Sequence, residues 1–168
     1  TLRESGRAEL QCDGASTLQV LASGPDLPDD TLHAMLLAGI LGAQQRIWIV
    51  SPYFAPDDAI QSVLRLACRR GVDVHIIVPR RSNMWLADRV RGSYLTELAA
   101  LGAAVRLYVP TVVHAKLLVL DQRVALVGSA NFDMRSLFTN HEVAVVMYSE
   151  ADVAAVADVI ANLEAESV

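Results

Sequence analysis

Two short runs hold the residues best suited to chemistry, His114-Ala115-Lys116-Leu117-Leu118-Val119-Leu120-Asp121 and Gly128-Ser129-Ala130-Asn131. They lie among apolar, β-branched residues. A buried strand pair is expected, with Val112 to Leu120 as the first strand, Asp121-Gln122 as the turn and Arg123 to Val127 as the second strand. Residues two apart on a strand share a face, so His114 and Lys116 point the same way. An imidazole and an ammonium on one apolar strand are costly unless something anionic meets them. Phosphodiester transfer uses such a set, because it needs a nucleophile, neutralisation of phosphoryl charge and an acid for the leaving group. His114 fits nucleophile or acid. Lys116 fits the oxyanion stabiliser, as a point charge on a phosphoryl oxygen. Asn131 can donate its amide NH2 to another such oxygen. Ser129 stands two residues before Asn131, on the same side if the strand continues, and so reaches the phosphate too. Asp121 stands five residues after Lys116, an odd offset beyond a turn. Its expected role is to brace the motif from a distance.

The elements that must position these residues alternate. Strands are expected at Thr17 to Ala22, Arg46 to Val50, Val72 to Val78, Val105 to Val109 and His141 to Tyr148. The first helix starts at Asp29 and Asp30, which suit the positive end of its dipole. Leu32, Met35, Leu36, Ile40 and Leu41 make its apolar face. A second helix opens at Pro56-Asp57-Asp58, buries Ile60, Val63, Leu64 and Ala67, and closes at Gly71. A third spans Met84 to Leu101, with Leu86, Val90, Tyr94 and Leu98 on one stripe. The last follows Ser149-Glu150-Ala151-Asp152, which reads as a capping box, and buries Val153, Val156, Ile160 and Leu163. Phe132 to Thr139 reads as a loop braced by Asp133 and Arg135. The expected fold is α/β, a mixed sheet with helices on both faces. In such sheets ligands gather at strand carboxyl ends. Tyr53 and Phe54 stand at one such end as a pocket wall, and Arg80 and Arg81 at another, where they suit a phosphate headgroup. Of the other histidines, His33 reads as a surface residue and His75 as an ordinary strand residue.

Composition narrows the function. With 168 residues the chain is one domain by length, and 53% hydrophobic content is enough for a core. A formal net charge of -5 argues against a broad polyanion-binding surface. Cys12 and Cys68 form no metal or redox motif, so a reducing compartment is expected. No apolar run reaches the length of a membrane span. A metal site built from His114, His141, Glu142 and Asp133 is the rival chemistry. Adjacent strand residues His141 and Glu142 point to opposite faces, and Lys116 would set a positive charge beside the ion. No metal and no cofactor are expected.

The spacing His-x-Lys-x4-Asp with Gly-Ser-x-Asn resembles the signature of the phospholipase D superfamily. Trp48 to Asp57, Arg70-Gly71-Val72-Asp73-Val74, Val78 to Ser82 and Gly128 to Ser136 are similar to bacterial cardiolipin synthases. The likeness covers roughly residues 17–150. It implies an α-β-α sandwich and transfer of a phosphatidyl group through a phosphohistidine to a glycerol-type alcohol. It also implies that Glu142 hydrogen-bonds the far nitrogen of His114. Where His141 stands, that family usually has an aromatic. Cardiolipin synthases carry two such motifs and this chain carries one, so it resembles their C-terminal half. Residues 1–16 would be a linker or an extension from a preceding half, and 17–168 a single catalytic domain. The implied partners are a phosphatidylglycerol-like lipid and a second motif-bearing half, in the same parent chain or as a homodimer mate. The implied location is the cytoplasmic face of a bacterial inner membrane, reached through the parent protein, with this piece itself soluble and no nucleic acid bound. Two other readings are a superfamily phosphodiesterase or nuclease acting as a homodimer, and a silent half packed on an active one.

Overall fold

A computed structural model of the chain describes residues 16–27, 30–81 and 85–168. The expected extension over 1–16, apart from residue 16, lies outside them, as do Asp29, Met84 and the side chains of Leu86 and Val90. The elements run β1 (Leu18–Ser23), α1 (Thr31–Gly42), β2 (Arg46–Val50), β3 (Phe54–Ala55), α2 (Asp58–Arg69), β4 (Asp73–Pro79) and α3 (Trp85–Ala100). They continue with β5 (Ala104–Tyr108), β6 (Leu117–Leu120), β7 (Val124–Gly128), β8 (Phe132–Asp133), α4 (Met134–Phe138), β9 (Glu142–Met147) and α5 (Glu150–Ala165).

Seven strands form one sheet in the order β1-β9-β7-β6-β2-β4-β5. β2, β4 and β5 are parallel neighbours, and the remaining pairs are antiparallel. The sheet is mixed and helices cover both faces, as the alternation of strand and helix patterns leads one to expect. The period of two divides the core. Leu118 and Leu120 of β6 join Ile47, Ile49, Ile76 and the apolar faces of α1, α2 and α3. Leu117 and Val119 join Val50, Ile77 and the Val153, Val156 and Ile160 face of α5. A strand buried on both sides carries no polar alternation, which is why β6 reads as a continuous apolar run.

Local chemistry sets the element ends. The Asp57 side chain accepts from the amides of Ala59 and Ile60 and caps α2, while Gly71, at φ 79°, supplies the left-handed residue that ends it. α5 has no such side-chain cap. The Ser149 hydroxyl accepts from the Thr17 amide at 2.7 Å instead, so the expected capping box does not form. Leu41, expected in the core, is half exposed in the last turn of α1, past the cover that its neighbours provide.

Two differences bear on the site. β6 begins at Leu117, not Val112. Its partner β2 ends at Val50, which pairs with Leu117, and the chain turns away through Ser51 and Pro52. Residues 112–116 thus lead into β6 outside any strand, with little ladder to join. The expected loop after Phe132 is instead a short parallel pair and a helix. Phe54 pairs with Phe132 and Ala55 with Asp133. The Asp133 carboxylate then accepts from the Ser136 amide at 2.8 Å and caps α4. Ser51, fully buried, ties these parts together by donating to the Tyr53 carbonyl at 2.6 Å and accepting from the Phe132 amide at 3.2 Å.

Candidate active site

His114 and Lys116 meet on the lead-in to β6. The Lys116 Nζ lies 3.0 Å from His114 Nδ1 and 3.2 Å from Nε2, and donates to the His114 carbonyl at 2.9 Å. The imidazole is exposed, whereas Lys116 is only 8% exposed. Burial pushes the Lys116 ammonium below the usual lysine range, and the carboxylates of Glu142 and Asp133 offset part of that. The result is an ammonium with few competing waters beside an open imidazole. A neutral ring offers the ammonium a lone pair, and an incoming phosphoryl oxygen can replace it.

Glu142 opens β9 across from the end of β7, with Ser23 as its partner on β1. Its carboxylate does not take a hydrogen bond from His114, contrary to expectation. One oxygen accepts from the Ser129 hydroxyl and the other from Asn140 Nδ2 at 3.2 Å. The Val143 amide in turn donates to Ser129 Oγ at 3.0 Å. Glu142 therefore acts on the His114–Lys116 pair through its field on Lys116. Asn140 had no role in the sequence reading. The signal for it was an amide two residues before a candidate acid.

Asn131 follows β7 and lies half buried. Its Nδ2 donates to Ser136 Oγ at 3.2 Å, and its Oδ1 is buried without a partner. It lines a cleft of about 490 Å³ with Tyr53, Tyr94, Asp133, Met134 and Asn140. Phe54 belongs mainly to the core. It is 1% exposed and stacks on Phe132 with ring centres 6.0 Å apart, yet it lines the cleft together with Tyr53. Arg80 and Arg81 line a different cleft, of about 440 Å³, with Tyr108, Val109, Thr111 and Val112.

Asp121 stands at the far end of β6. It accepts from the backbone amides of Gln44, Gln45 and Arg46 at 2.7–3.1 Å. Burial alone would raise its carboxyl, but those donors outweigh burial and hold it below the usual range. It joins the end of β6 to the start of β2, at the opposite end of β6 from His114 and Lys116. A cleft of about 740 Å³ opens beside it, lined by none of His114, Lys116, Asn131 or Glu142. Asp121 adopts a left-handed φ of 54°, which asparagine tolerates. Asp121→Asn therefore isolates the charge, and should cost about 1.5–3 kcal/mol, the worth of hydrogen bonds to a charged group. A depressed carboxyl contributes stability above its unfolded pKa and loses it as pH falls through the folded value. Urea melts of both proteins should differ at pH 7 and converge below about pH 4. A constant gap would show that the charge is irrelevant.

Each remaining histidine has a carboxylate oxygen within 3.2 Å, although for His33 Nε2 that approach is not a hydrogen bond. His33 is largely buried, with Nε2 3.2 Å from Asp57 Oδ1 and its ring against Phe138, so it is not the surface residue expected. His75 sits between Asp73 and Glu164, each 3.0 Å from a ring nitrogen, so it is more than a plain strand position. His141 pairs with Asp26 at 3.2 Å on the exposed rim. Among the described residues no three or more His, Cys, Asp or Glu side chains come together as a metal cage.

Residues 36–164 match the family model described as cardiolipin synthase, phospholipase D-like domain. The chain is 37% identical over 148 residues to cardiolipin synthase 1 of Bacillus anthracis, covering 88% of this chain and 29% of that protein. It is 35% identical over 135 residues to cardiolipin synthase A of Edwardsiella ictaluri, covering 80% and 28%. The chain thus spans under a third of the length of these curated relatives. Among solved structures, Nuc from Salmonella typhimurium, a phospholipase D family member, superposes with a TM-score of 0.78 at 23% identity, over 91% of this chain and 97% of that one. Phosphatidylserine synthase of Haemophilus influenzae superposes with a TM-score of 0.68 at 19% identity, over 87% and 38%.

Proposed function

Because the chain belongs to the family of cardiolipin synthase phospholipase D-like domains, we propose that it is one catalytic half of a phosphatidyltransferase. The observation that carries this is the buried Lys116 ammonium held 3.0 Å from the open His114 ring. In the proposed reaction an imidazole nitrogen of His114 attacks the phosphorus of a phosphatidylglycerol-like lipid. The phosphorus–oxygen bond to the leaving alcohol breaks, and a second, protonated histidine gives that alcohol its proton. The acceptor alcohol then loses its proton to the second histidine and attacks, breaking the phosphorus–nitrogen bond. Lys116 and the Asn131 amide hold the non-bridging oxygens. Glu142 steadies the charge on Lys116 and Ser129 holds Glu142, while Asp121 braces the strand that carries the motif.

The second histidine comes from another motif-bearing half, in a longer parent chain or a paired copy. None of His33, His75 and His141 has a lysine two residues on, and His75 and His141 are paired with carboxylates. In this reading the reaction runs at a membrane surface, the cytoplasmic face of a bacterial inner membrane, and similarity to bacterial cardiolipin synthases supports it. Among the described residues no helix is long and apolar enough to cross a membrane. The test is conversion of phosphatidylglycerol in mixed micelles to a new phosphatidyl ester, with released alcohol counted. An ammonium and two imidazoles can carry the phosphoryl charge, so turnover is expected to survive EDTA. A strict divalent requirement, restored by adding the ion back, would overturn this mechanism. DNA cleavage without lipid turnover would favour the nuclease reading instead.

A further inference from the structure

Lys116 and Glu142 carry opposite charges and act on each other through space, yet they are not bonded. The Lys116 Nζ lies against the His114 ring and donates to the His114 carbonyl. Both Glu142 oxygens are taken elsewhere, one by the Ser129 hydroxyl and the other by Asn140 Nδ2 at 3.2 Å. Opposite charges attract strongly where water is scarce, and Lys116 is only 8% exposed. Keeping them apart takes a tether. Ser129 ties Glu142 to its own sheet, since its hydroxyl also accepts from the Val143 amide at 3.0 Å on the strand that Glu142 opens. Asn140 holds the other oxygen from outside the sheet. Its backbone amide donates to the Arg135 carbonyl at 2.9 Å and closes the end of α4. The start of α4 is held by the Asp133 cap, and Asp133 pairs with Ala55 of β3. The Asn140 side chain thus reaches Glu142 from a fixed post, on the wall of the cleft that also contains Asn131.

We infer that Asn140 is a positioning residue that keeps Glu142 out of a direct ion pair with Lys116, so that the ammonium stays free for a phosphoryl oxygen. In a direct pair the carboxylate would take the charge-assisted donors that the phosphate needs. Held apart, it still lends its field to the ammonium. The consequence for phosphate rests on the phosphatidyl-transfer reading, whereas the tether itself does not. Besides Glu142, the groups that act on Lys116 are the His114 ring and the Asp133 carboxylate, and the variants below keep both.

The test follows the Lys116 ammonium by NMR titration of the chain and, alongside, its affinity for inorganic phosphate by calorimetry. Asn140→Leu keeps the volume and removes the donor. Its Lys116 pKa should rise by about one pH unit, as an opposite charge at close range requires. Phosphate should bind it about tenfold more weakly, a difference of about 1.4 kcal/mol. Asn140→Gln keeps the amide and should recover part of both. In Asn140→Leu/Glu142→Gln the rise should vanish and phosphate binding should return, which a plain packing defect at Asn140 would not allow. Asn140→Ala removes the same donor if leucine disturbs the fold. A Lys116 pKa unchanged or lowered by loss of the Asn140 amide would overturn the tether. So would a loss of phosphate affinity that Glu142→Gln leaves unrepaired. Failure of the transfer reading would look different. Phosphate would not bind, or would bind Lys116→Met as well as the native chain, and the Lys116 titration would still decide the tether.

Discussion

Replacing His114 by alanine should lower phosphatidyl transfer by about 10⁴ or more, the scale on which removing one member of a nucleophile–base set acts. The fold should be indifferent. The ring is exposed and its contacts are with Lys116, whose ammonium keeps the His114 carbonyl as a partner in any variant. Surface changes away from packing stay within about 0.5 kcal/mol, so the urea midpoint should not move. His114→Asn sharpens the test, because an amide can accept from Lys116 yet cannot attack phosphorus. The loss also carries a pairing consequence. One imidazole per chain cannot act as nucleophile and leaving-group acid on opposite sides of one phosphorus. If two copies supply the two roles, specific activity should rise with concentration and follow the dimer fraction measured by mass. Chains of His114→Ala mixed into the native protein should poison it by forming mixed pairs. Full turnover by a species shown to be monomeric would refute the two-histidine scheme.

The parts of this site that the sequence displayed are those set by local spacing. The β6–β7 hairpin shows as two apolar, β-branched runs about a turn, and burial on both faces makes those runs continuous. The neighbourhood of His114 and Lys116 follows from an offset of two. What depends on distant chain did not show. The start of β6 is decided by where β2 turns away at Pro52, more than sixty residues upstream. Of the two carboxylates on His75, Glu164 stands 89 residues later in sequence. Glu142 is turned from His114 by Ser129 and Asn140, whose hydrogen bonds depend on how β7, α4 and β9 converge. α4, with five residues, is too short to show a period, and only its Asp133 cap left a trace. Leu41 has helical spacing with the core residues of α1, yet spacing gives the face and not how far the cover extends.

Lys116→Met should separate stability from activity in opposite directions. Methionine keeps the length and apolar stem of the side chain and removes the ammonium. Loss of a donor aimed at developing phosphoryl charge costs about 10²–10³ in kcat. The folded chain should gain. Lys116 is 8% exposed, and burial holds its ammonium below the usual lysine range even with Glu142 and Asp133 nearby. Those carboxylates keep the donors Ser129, Asn140 and the Ser136 amide when Lys116 is gone. Relief of a strained functional group of this kind is commonly worth about 0.5–2 kcal/mol. The sign with pH follows from proton linkage. Below the depressed folded pKa both states are charged and the folded state bears the full cost. Between that value and the unfolded value of about 10.4 the unfolded chain binds more protons, so native stability rises with pH. The advantage of Lys116→Met in urea melts should therefore be largest near neutral pH and shrink as pH rises toward 10. A variant that loses both rate and stability would show instead that Lys116 is a structural tie to the His114 carbonyl, and its place in the chemistry would pass to another cation.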